Sequence, residues 1–297
     1  MNSLNITITG SLGNIGKPLT QQLVAAGHTV SVVSSQASRK EAITALGATP
    51  AIGSITDVDF LTRAFTGADA VFIMIPPNFA ATDYSAYTAA SGNNYLQAIR
   101  NAGVRKVVLL SSIGAHLPSG TGPISGLHQV EQLFNQLIDV SVTILRPGYF
   151  YTNFYGNSDM IRHMNILGSN NGAAQTLLMV HPADIADAAA AALQDGAKGN
   201  SIQYIISDEQ SNATVARALG SAIGKPELPW VEFTDEDAMN GMLQAGLPEP
   251  IAAMYTEMGS AIRKGILWED YLPERKGWKG KVKLQDFAQE FAAQYQQ

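Results

Sequence analysis

The residues with the clearest chemical meaning stand near the start of the chain: Thr9-Gly10-Ser11-Leu12-Gly13-Asn14-Ile15-Gly16. The glycines are spaced GxxGxxG, where a short apolar/polar alternation gives way to a helical repeat. Each has a use if the turn holds a pyrophosphate. Gly10 permits a tight turn, Gly13 lets a phosphate approach the backbone, and Gly16 lets the helix pack closely on the sheet. The helix start then offers free N–H groups and a partial positive charge to the anion. A compact turn without a ligand is the plainer alternative. Three glycines are a weak pattern in a chain with 27 of them, and the position between strand and helix gives them their weight.

A second candidate lies at the end of the next strand. In dinucleotide-binding folds an acidic residue there binds the ribose 2′-hydroxyl. This chain has Ser34-Ser35-Gln36 instead, followed by Arg39 and Lys40. No carboxylate repels a 2′-phosphate, and two cations stand near enough to attract one. The expectation is NADP(H) rather than NAD(H); a solvated helix start is the alternative for Arg39 and Lys40.

Other chemistries find no residues. The chain has no cysteine, which excludes disulfides, thiolate metal sites and cysteine nucleophiles. The histidines at 28, 116, 128, 163 and 181 show no ligand spacing, so no metal is expected. There is no Gly-x-Ser-x-Gly elbow and no Gly-x-x-x-x-Gly-Lys-Ser/Thr phosphate loop.

The elements that must position these residues follow from hydrophobic period and from glycine and proline punctuation. Strands are expected over 4–9, 29–34, 48–53, 68–75, 106–112 and 140–146. Helices are expected over 14–26, 38–46, 57–65, 82–101 and 125–137. Short apolar strands separated by helices imply a parallel sheet covered on both faces. After residue 147 the rhythm loosens, with helices over 182–193, 214–223, 235–245 and 248–263 and strands over 202–206 and 228–233. The expected fold is α/β: a Rossmann-type doubly wound parallel sheet in a dinucleotide-binding domain, 1–150, and a smaller, mostly helical C-terminal lobe, 151–297. The lobe is expected to lend one or two elements back to the sheet.

Composition sets the outer limits. Of 297 residues 46% are hydrophobic and 15% charged, which excludes a disordered chain. No apolar run approaches the roughly 20 residues needed to cross a bilayer. The start of the sequence has neither a basic nor an apolar leader region, so a cytoplasmic protein is expected. A net charge of −6 disfavours nonspecific nucleic-acid binding. Residues 263–283 run against this, with Arg263, Lys264, Arg275, Lys276, Lys279, Lys281 and Lys283 facing only Glu269, Asp270 and Glu274. A solvated turn is the plain reading of that run and a partner patch the other.

Taken together, the motifs resemble the NmrA-like group of the atypical short-chain dehydrogenase/reductase superfamily. The likeness is carried by the glycine turn, Pro76-Pro77, Ser111-Ser112, Leu145-Arg146-Pro147-Gly148-Tyr149-Phe150 and His181-Pro182-Ala183-Asp184-Ile185-Ala186. It runs from Leu4 to about Arg263. Members share the fold and the binding of NAD(P), but not an activity. Some are NADPH-dependent quinone reductases, some reduce plant phenolics, and some sense the dinucleotide without turnover. The resemblance implies cofactor contacts at Gly10, Leu12, Gly13, Asn14, Ile15, Ser34, Ser35, Ser54, Ile75, Pro76, Ser111 and Pro147. Relatives often carry an acidic residue after the third strand; here Gly53 is followed by Ser54.

The superfamily's usual Tyr-x-x-x-Lys pair is missing. Residues 112–139 contain neither Tyr nor Lys, and Pro123 and Leu127 stand near the two expected positions. His128, on the same helix, is the candidate that could donate or relay a proton, with a merely packed histidine as the alternative. Tyr149 is a second candidate, with an aromatic pocket wall as its alternative. Phe79, Tyr84, Phe150, Tyr151, Phe154, Tyr155, Met160 and Met164 could wall a flat apolar ligand, or be core. A ketone that accepts hydride becomes a strongly basic alkoxide and needs an acid beside it. A quinone becomes a phenol-like anion with a pKa of about 10 and tolerates a weak donor. The sequence therefore points to an NAD(P)H-dependent reductase of a quinone-like or conjugated carbonyl acceptor. The alternative is a non-catalytic redox sensor with a regulatory protein partner. A homodimer is compatible with either.

Overall fold

The computed structural model describes residues 3–196 and 199–296. Its first part alternates strand and helix: β1 (Asn5–Ile8), α1 (Gly16–Ala25), β2 (Thr29–Ser34), α2 (Lys40–Ala45), β3 (Thr49–Ile52), α3 (Val58–Phe65), β4 (Ala70–Ile73), α4 (Tyr84–Ala102), β5 (Lys106–Leu110), α5 (Ile124–Phe134) and β6 (Ser141–Pro147). There follow β7 (Tyr149–Phe150), α6 (Ser158–Met164), β8 (Leu167–Ser169), β9 (Thr176–Val180), α7 (Pro182–Gln194), β10 (Ser201–Ile206), β11 (Asp208–Ser211), α8 (Asn212–Ala222), β12 (Trp230–Glu232), α9 (Asp235–Gln244), α10 (Glu249–Lys264), β13 (Trp278–Lys279) and α11 (Leu284–Tyr295).

The principal sheet has eight strands in the order β13-β10-β6-β5-β4-β1-β2-β3. The strand pairs from β3 through β1 to β6 are parallel. β3 and β4, consecutive in the chain, lie on opposite sides of β1, so the order reverses there. A doubly wound sheet opens its ligand crevice at such a point, beyond the carboxyl ends of the strands. The register brings those ends level: Ile8 pairs with Val32 and with Phe72, and Ile73 with Leu109.

Two compact units divide the chain. The first comprises residues 1–111, 126–146 and 185–203, the second 112–125, 147–184 and 204–297. The first unit has its core between sheet and helices, where Leu61, Phe65, Ile73, Tyr95, Ile99, Val107, Phe134 and Ile144 are buried together. Its helices begin where the sequence supplies caps. Asp57 accepts from the Phe60 amide at 2.9 Å and Asp83 from the Ala86 amide at 2.9 Å.

The second unit holds a three-stranded sheet, β11-β9-β7, and a two-stranded one, β12-β8. Its aromatic core forms around α11: Tyr151 stacks on Phe287 at 4.9 Å and Tyr155 on Phe291 at 5.9 Å. Short strands β7, β8, β9, β11 and β13 and helices α6 and α11 stand where the sequence reading placed no element. β11 is wholly polar and β8 three residues long, so neither has a period to read. α11 does have one: buried Leu284, Phe287, Ala288 and Phe291 recur at helical spacing.

Candidate functional site

The glycine turn is built by the end of β1. The Thr9 amide donates to the Phe72 carbonyl at 3.0 Å, and the Thr9 hydroxyl accepts from the Met74 amide at 2.8 Å. Gly10 then turns with φ +91°, and a Cβ on it would run into the Met74 side chain. Ser11 continues at φ 56°, its amide on the Val33 carbonyl at 3.1 Å and its hydroxyl on Ser34 Oγ at 3.0 Å. Gly16 is needed for a reason other than helix–sheet packing. A Cβ there would strike the Ser11 carbonyl of the same turn.

Gly13 differs from both. It is exposed, and a Cβ on it would meet only the Gly10 carbonyl, at 3.6 Å. The protein itself does not require a glycine here, whereas a ligand lying on the backbone would. Among the described residues no acceptor meets the amides of Leu12, Gly13, Asn14 or Ile15. α1 has no side-chain cap and no acidic residue in its first turn. Amides with no partner at a helix start, with space in front of them, suit a diphosphate. The residues present therefore fit a dinucleotide.

The neighbouring candidates separate into framework and surface. Ser34 is buried; its hydroxyl also accepts from the Gln36 amide at 3.2 Å, so it shapes the turn. Ser35 is exposed, and exposed Arg39 places Nε 3.3 Å from Gln36 Oε1. Ser54 turns the chain into α3, its Oγ accepting from the Thr56 amide at 3.1 Å. Ile75 and Pro76 are half-buried on the tail of β4, where the Pro76 carbonyl accepts from Tyr87 at 3.0 Å. His128 is half-buried on α5.

Ser111 ends the first unit's stretch after β5 and is buried. Its hydroxyl donates to Glu131 Oε1 at 2.5 Å. Glu131 is in turn gripped by Arg146, Nε to Oε1 at 3.0 Å and Nη2 to Oε2 at 2.6 Å. The sequence reading gave Glu131 and Arg146 no role. The available signal was a charged residue inside the apolar run of β6, because a buried charge must be paired.

In the second unit, buried Pro147 accepts from the Ile113 amide at 2.9 Å through its carbonyl. Tyr149 packs on Phe154 at 5.5 Å. Burial pushes its phenol up to about 12, against a smaller downward pull from its hydrogen bond with Asn153. Of the candidate pocket aromatics, Tyr151 and Phe154 are core, Met164 is exposed, and Phe79 stacks on Tyr84 at 6.2 Å in the first unit. Asp184, from the His181–Ala186 motif, is buried and structural. It accepts from Ser207 Oγ at 2.6 Å and from the Lys281 and Val282 amides at 2.8 and 3.1 Å. The basic run 263–283 is largely held by its own unit. Arg263 pairs with Asp235 at 3.0 Å, Arg275 with Glu209 at 3.1 Å, Lys279 donates to Tyr271 at 2.7 Å and Lys283 to the Gly280 carbonyl at 2.9 Å. A cavity of about 430 Å³ also lies in this unit, lined by Met239, Thr256, Glu257, Ser260, Lys264 and Ile266 among others.

Among the described residues no group of three His, Cys, Asp or Glu could hold a metal ion, and no helix is long and apolar enough to cross a membrane.

Comparison with known proteins agrees with this geometry. The NAD(P)H-binding family model matches residues 10–196. The chain is 25% identical over 274 residues to an uncharacterised oxidoreductase of Bacillus subtilis, covering 88% of this chain and 85% of that one. Its fold is similar to that of an NADPH-dependent quinone oxidoreductase of Escherichia coli solved with NADPH, with a TM-score of 0.82, 19% identity and coverage of 96% and 99% of the two chains. It is also similar to a triphenylmethane reductase of Citrobacter sp. solved with NADP(H), with a TM-score of 0.80, 19% identity and coverage of 96% and 99%. The family model thus shows an NAD(P)H-binding chain, and the solved structures show the fold that the resemblance read from the motifs implies.

Proposed function

Since this chain belongs to the NAD(P)H-binding family, we propose that it is an NADPH-dependent reductase of quinone-like or other conjugated carbonyl acceptors. The observation that carries the reading is the open cradle at Gly13, with the amides of residues 12–15 free to hold a diphosphate. The oxidoreductase relative and the two reductase neighbours support it.

Binding would divide among this chain's own groups as follows. The turn from Gly10 to Gly16 holds the diphosphate, with Leu12, Gly13, Asn14 and Ile15 donating from the backbone. Ser35 and Arg39 are the exposed groups at the end of β2 and would meet a 2′-phosphate, with no carboxylate at 34–36 to oppose it. Ser34 holds the turn that presents them, and Ser54 the turn into α3. Ile75, Pro76 and Ser111 follow the ends of β4 and β5 and would flank the rest of the dinucleotide; Pro147, the last residue of β6, is a further contact that the family resemblance implies.

A bound NADPH supplies the hydride. The proton that completes the product needs no strong acid if the product is phenol-like, with a pKa of about 10. Tyr149, raised to about 12, holds its proton more tightly than such a product would and is poorly matched as the acid. That leaves His128 or uptake of a proton from solvent, which agrees with a stretch 112–139 that lacks both Tyr and Lys. That same gap favours the second reading, a dinucleotide sensor that binds and does not turn over.

One experiment separates them. Purified protein is mixed with NADPH and a panel of quinones, and the reduced-nicotinamide absorbance is followed. Consumption well above the protein-free rate is expected. Tight NADPH binding with no consumption across the panel would replace the reductase by the sensor. His128→Ala is expected to slow turnover, and an unchanged rate would leave the proton to water.

A further inference from the structure

Glu131 and Arg146 are 2% and 6% exposed and joined by two hydrogen bonds, at 3.0 and 2.6 Å. Burying such a pair seldom gains net stability over an apolar one, so its presence asks for a use. The third contact supplies one. Ser111 Oγ lies 2.5 Å from Glu131 Oε1. Bonded on both oxygens to a guanidinium, Glu131 is a carboxylate and can only accept. The proton between the two residues is therefore the hydroxyl proton of Ser111. A hydroxyl has one proton and two acceptor lone pairs. With the proton committed, acceptor capacity is all that Ser111 has left.

Ser111 stands where the sheet opens. Ile73 pairs with Leu109, which carries Ile75 and Ser111 out together beyond the carboxyl ends of β4 and β5. We infer that Glu131, held by Arg146, sets Ser111 as an acceptor-only group in the crevice. Its partner is then an N–H or O–H donor on the nicotinamide half of the dinucleotide, the carboxamide or a ribose hydroxyl, and not the oxygen of the acceptor substrate. Ser111 is the contacting residue; Glu131 and Arg146 are positioning residues that act through it. The inference rests on the dinucleotide reading above. It also means that the oxygen gaining charge during reduction draws no hydrogen bond from Ser111.

The test compares three ligands by calorimetry: NADPH, its 3-acetylpyridine analogue, which keeps the carbonyl and loses the N–H donor, and an analogue without the nicotinamide-ribose hydroxyls. In the unmodified protein one analogue is expected to bind roughly three- to tenfold more weakly than NADPH, the worth of one hydrogen bond. Which analogue does so identifies the donor. In Ser111→Ala that penalty should vanish, because NADPH loses the same factor. In Glu131→Ala the hydroxyl loses the acceptor that commits its proton, so Ser111 can donate as well as accept, and the penalty should shrink although Ser111 is present. A merely structural loss would weaken all three ligands alike and leave the ratio unchanged.

Equal binding of all three ligands to the unmodified protein would overturn the inference, as would a penalty that survives in Ser111→Ala. If Glu131→Ala does not fold, the serine variant still decides. Failure of every dinucleotide to bind would remove the dinucleotide reading itself, and this inference with it.

Discussion

Two sequence motifs end in opposite hydrogen-bonding states. In the glycine turn of the first unit, the amides of Leu12, Gly13, Asn14 and Ile15 meet no acceptor among the described residues. Around Asp184 in the second unit, a buried carboxylate receives Ser207 Oγ and the amides of Lys281 and Val282. Backbone groups inside a protein are paired almost without exception, because an unpaired one forfeits its hydrogen bonds to water. The turn can leave donors unmet because it is exposed at Gly13 and Asn14. Asp184 cannot, because it is 1% exposed. Both motifs belong to the same family resemblance, yet one holds a ligand in our reading and the other fastens the C-terminal segment. A recurring motif is therefore not by itself a binding site. Whether its polar groups are already satisfied within the chain is the better guide.

This contrast is most directly broken at its closed end. Asp184→Ala leaves three donors, Ser207 Oγ and the Lys281 and Val282 amides, without their buried acceptor and is expected to cost about 3–5 kcal/mol, at about 1–3 kcal/mol for each unsatisfied group before relaxation. Urea denaturation would show it as a large fall in midpoint. A change under about 1 kcal/mol would mean that the Asp184 network is incidental.

The open end should respond in the opposite way. A side chain at Gly13 meets little protein, so Gly13→Leu should shift stability by no more than about 1 kcal/mol. The same side chain would occupy the place of the diphosphate, and dinucleotide affinity should fall about a hundredfold, or roughly 2.7 kcal/mol. Affinity that survives would move the phosphates elsewhere. Gly16→Ala tests the division of labour within the motif. Its Cβ runs into the Ser11 carbonyl, so the cost should appear in stability, at about 1–3 kcal/mol, even without ligand. If Gly16→Ala denatures like the unmodified protein, the turn is looser than its geometry implies.

How much of this was legible beforehand depended on distance along the chain. The first six strands and the glycine turn were readable because period and punctuation are local properties. The network at Asp184 was not, since its partners lie at Ser207 and at Lys281–Val282, far along the chain. The same holds for Ser111, Glu131 and Arg146, which three separate elements bring together. The basic run shows both sides of this. Its charges were visible in the sequence, but the acids and carbonyls that hold them, Asp235, Glu209 and Gly280 among them, required the fold. For Gly16 the sequence suggests close helix–sheet packing, and the structure adds a neighbour the sequence does not show, the Ser11 carbonyl. α11 carries a local repeat of the same kind, with Leu284, Phe287, Ala288 and Phe291 at helical spacing.

The smallest expected effect lies at the edge of the open end. Arg39 is exposed, and among the described residues the side chain within its bonding distance is Gln36, with Nε at 3.3 Å from Oε1. An exposed cation attracts a phosphate through water, and such pairs are individually weak. Arg39→Ala should therefore narrow the preference for NADPH over NADH only about two- to fivefold, with Lys40 retaining part of it. The narrowing should fade as salt is added, because the Debye length falls from about 10 Å at 0.1 M to about 3 Å at 1 M. Arg39→Asp carries the logic further. It restores near the end of β2 the carboxylate that this sequence lacks, and it should turn the preference toward NADH. If both variants keep the original ratio at low salt, the 2′-phosphate is read by other groups, and the charge pattern that suggested NADP(H) belongs only to the solvated start of α2.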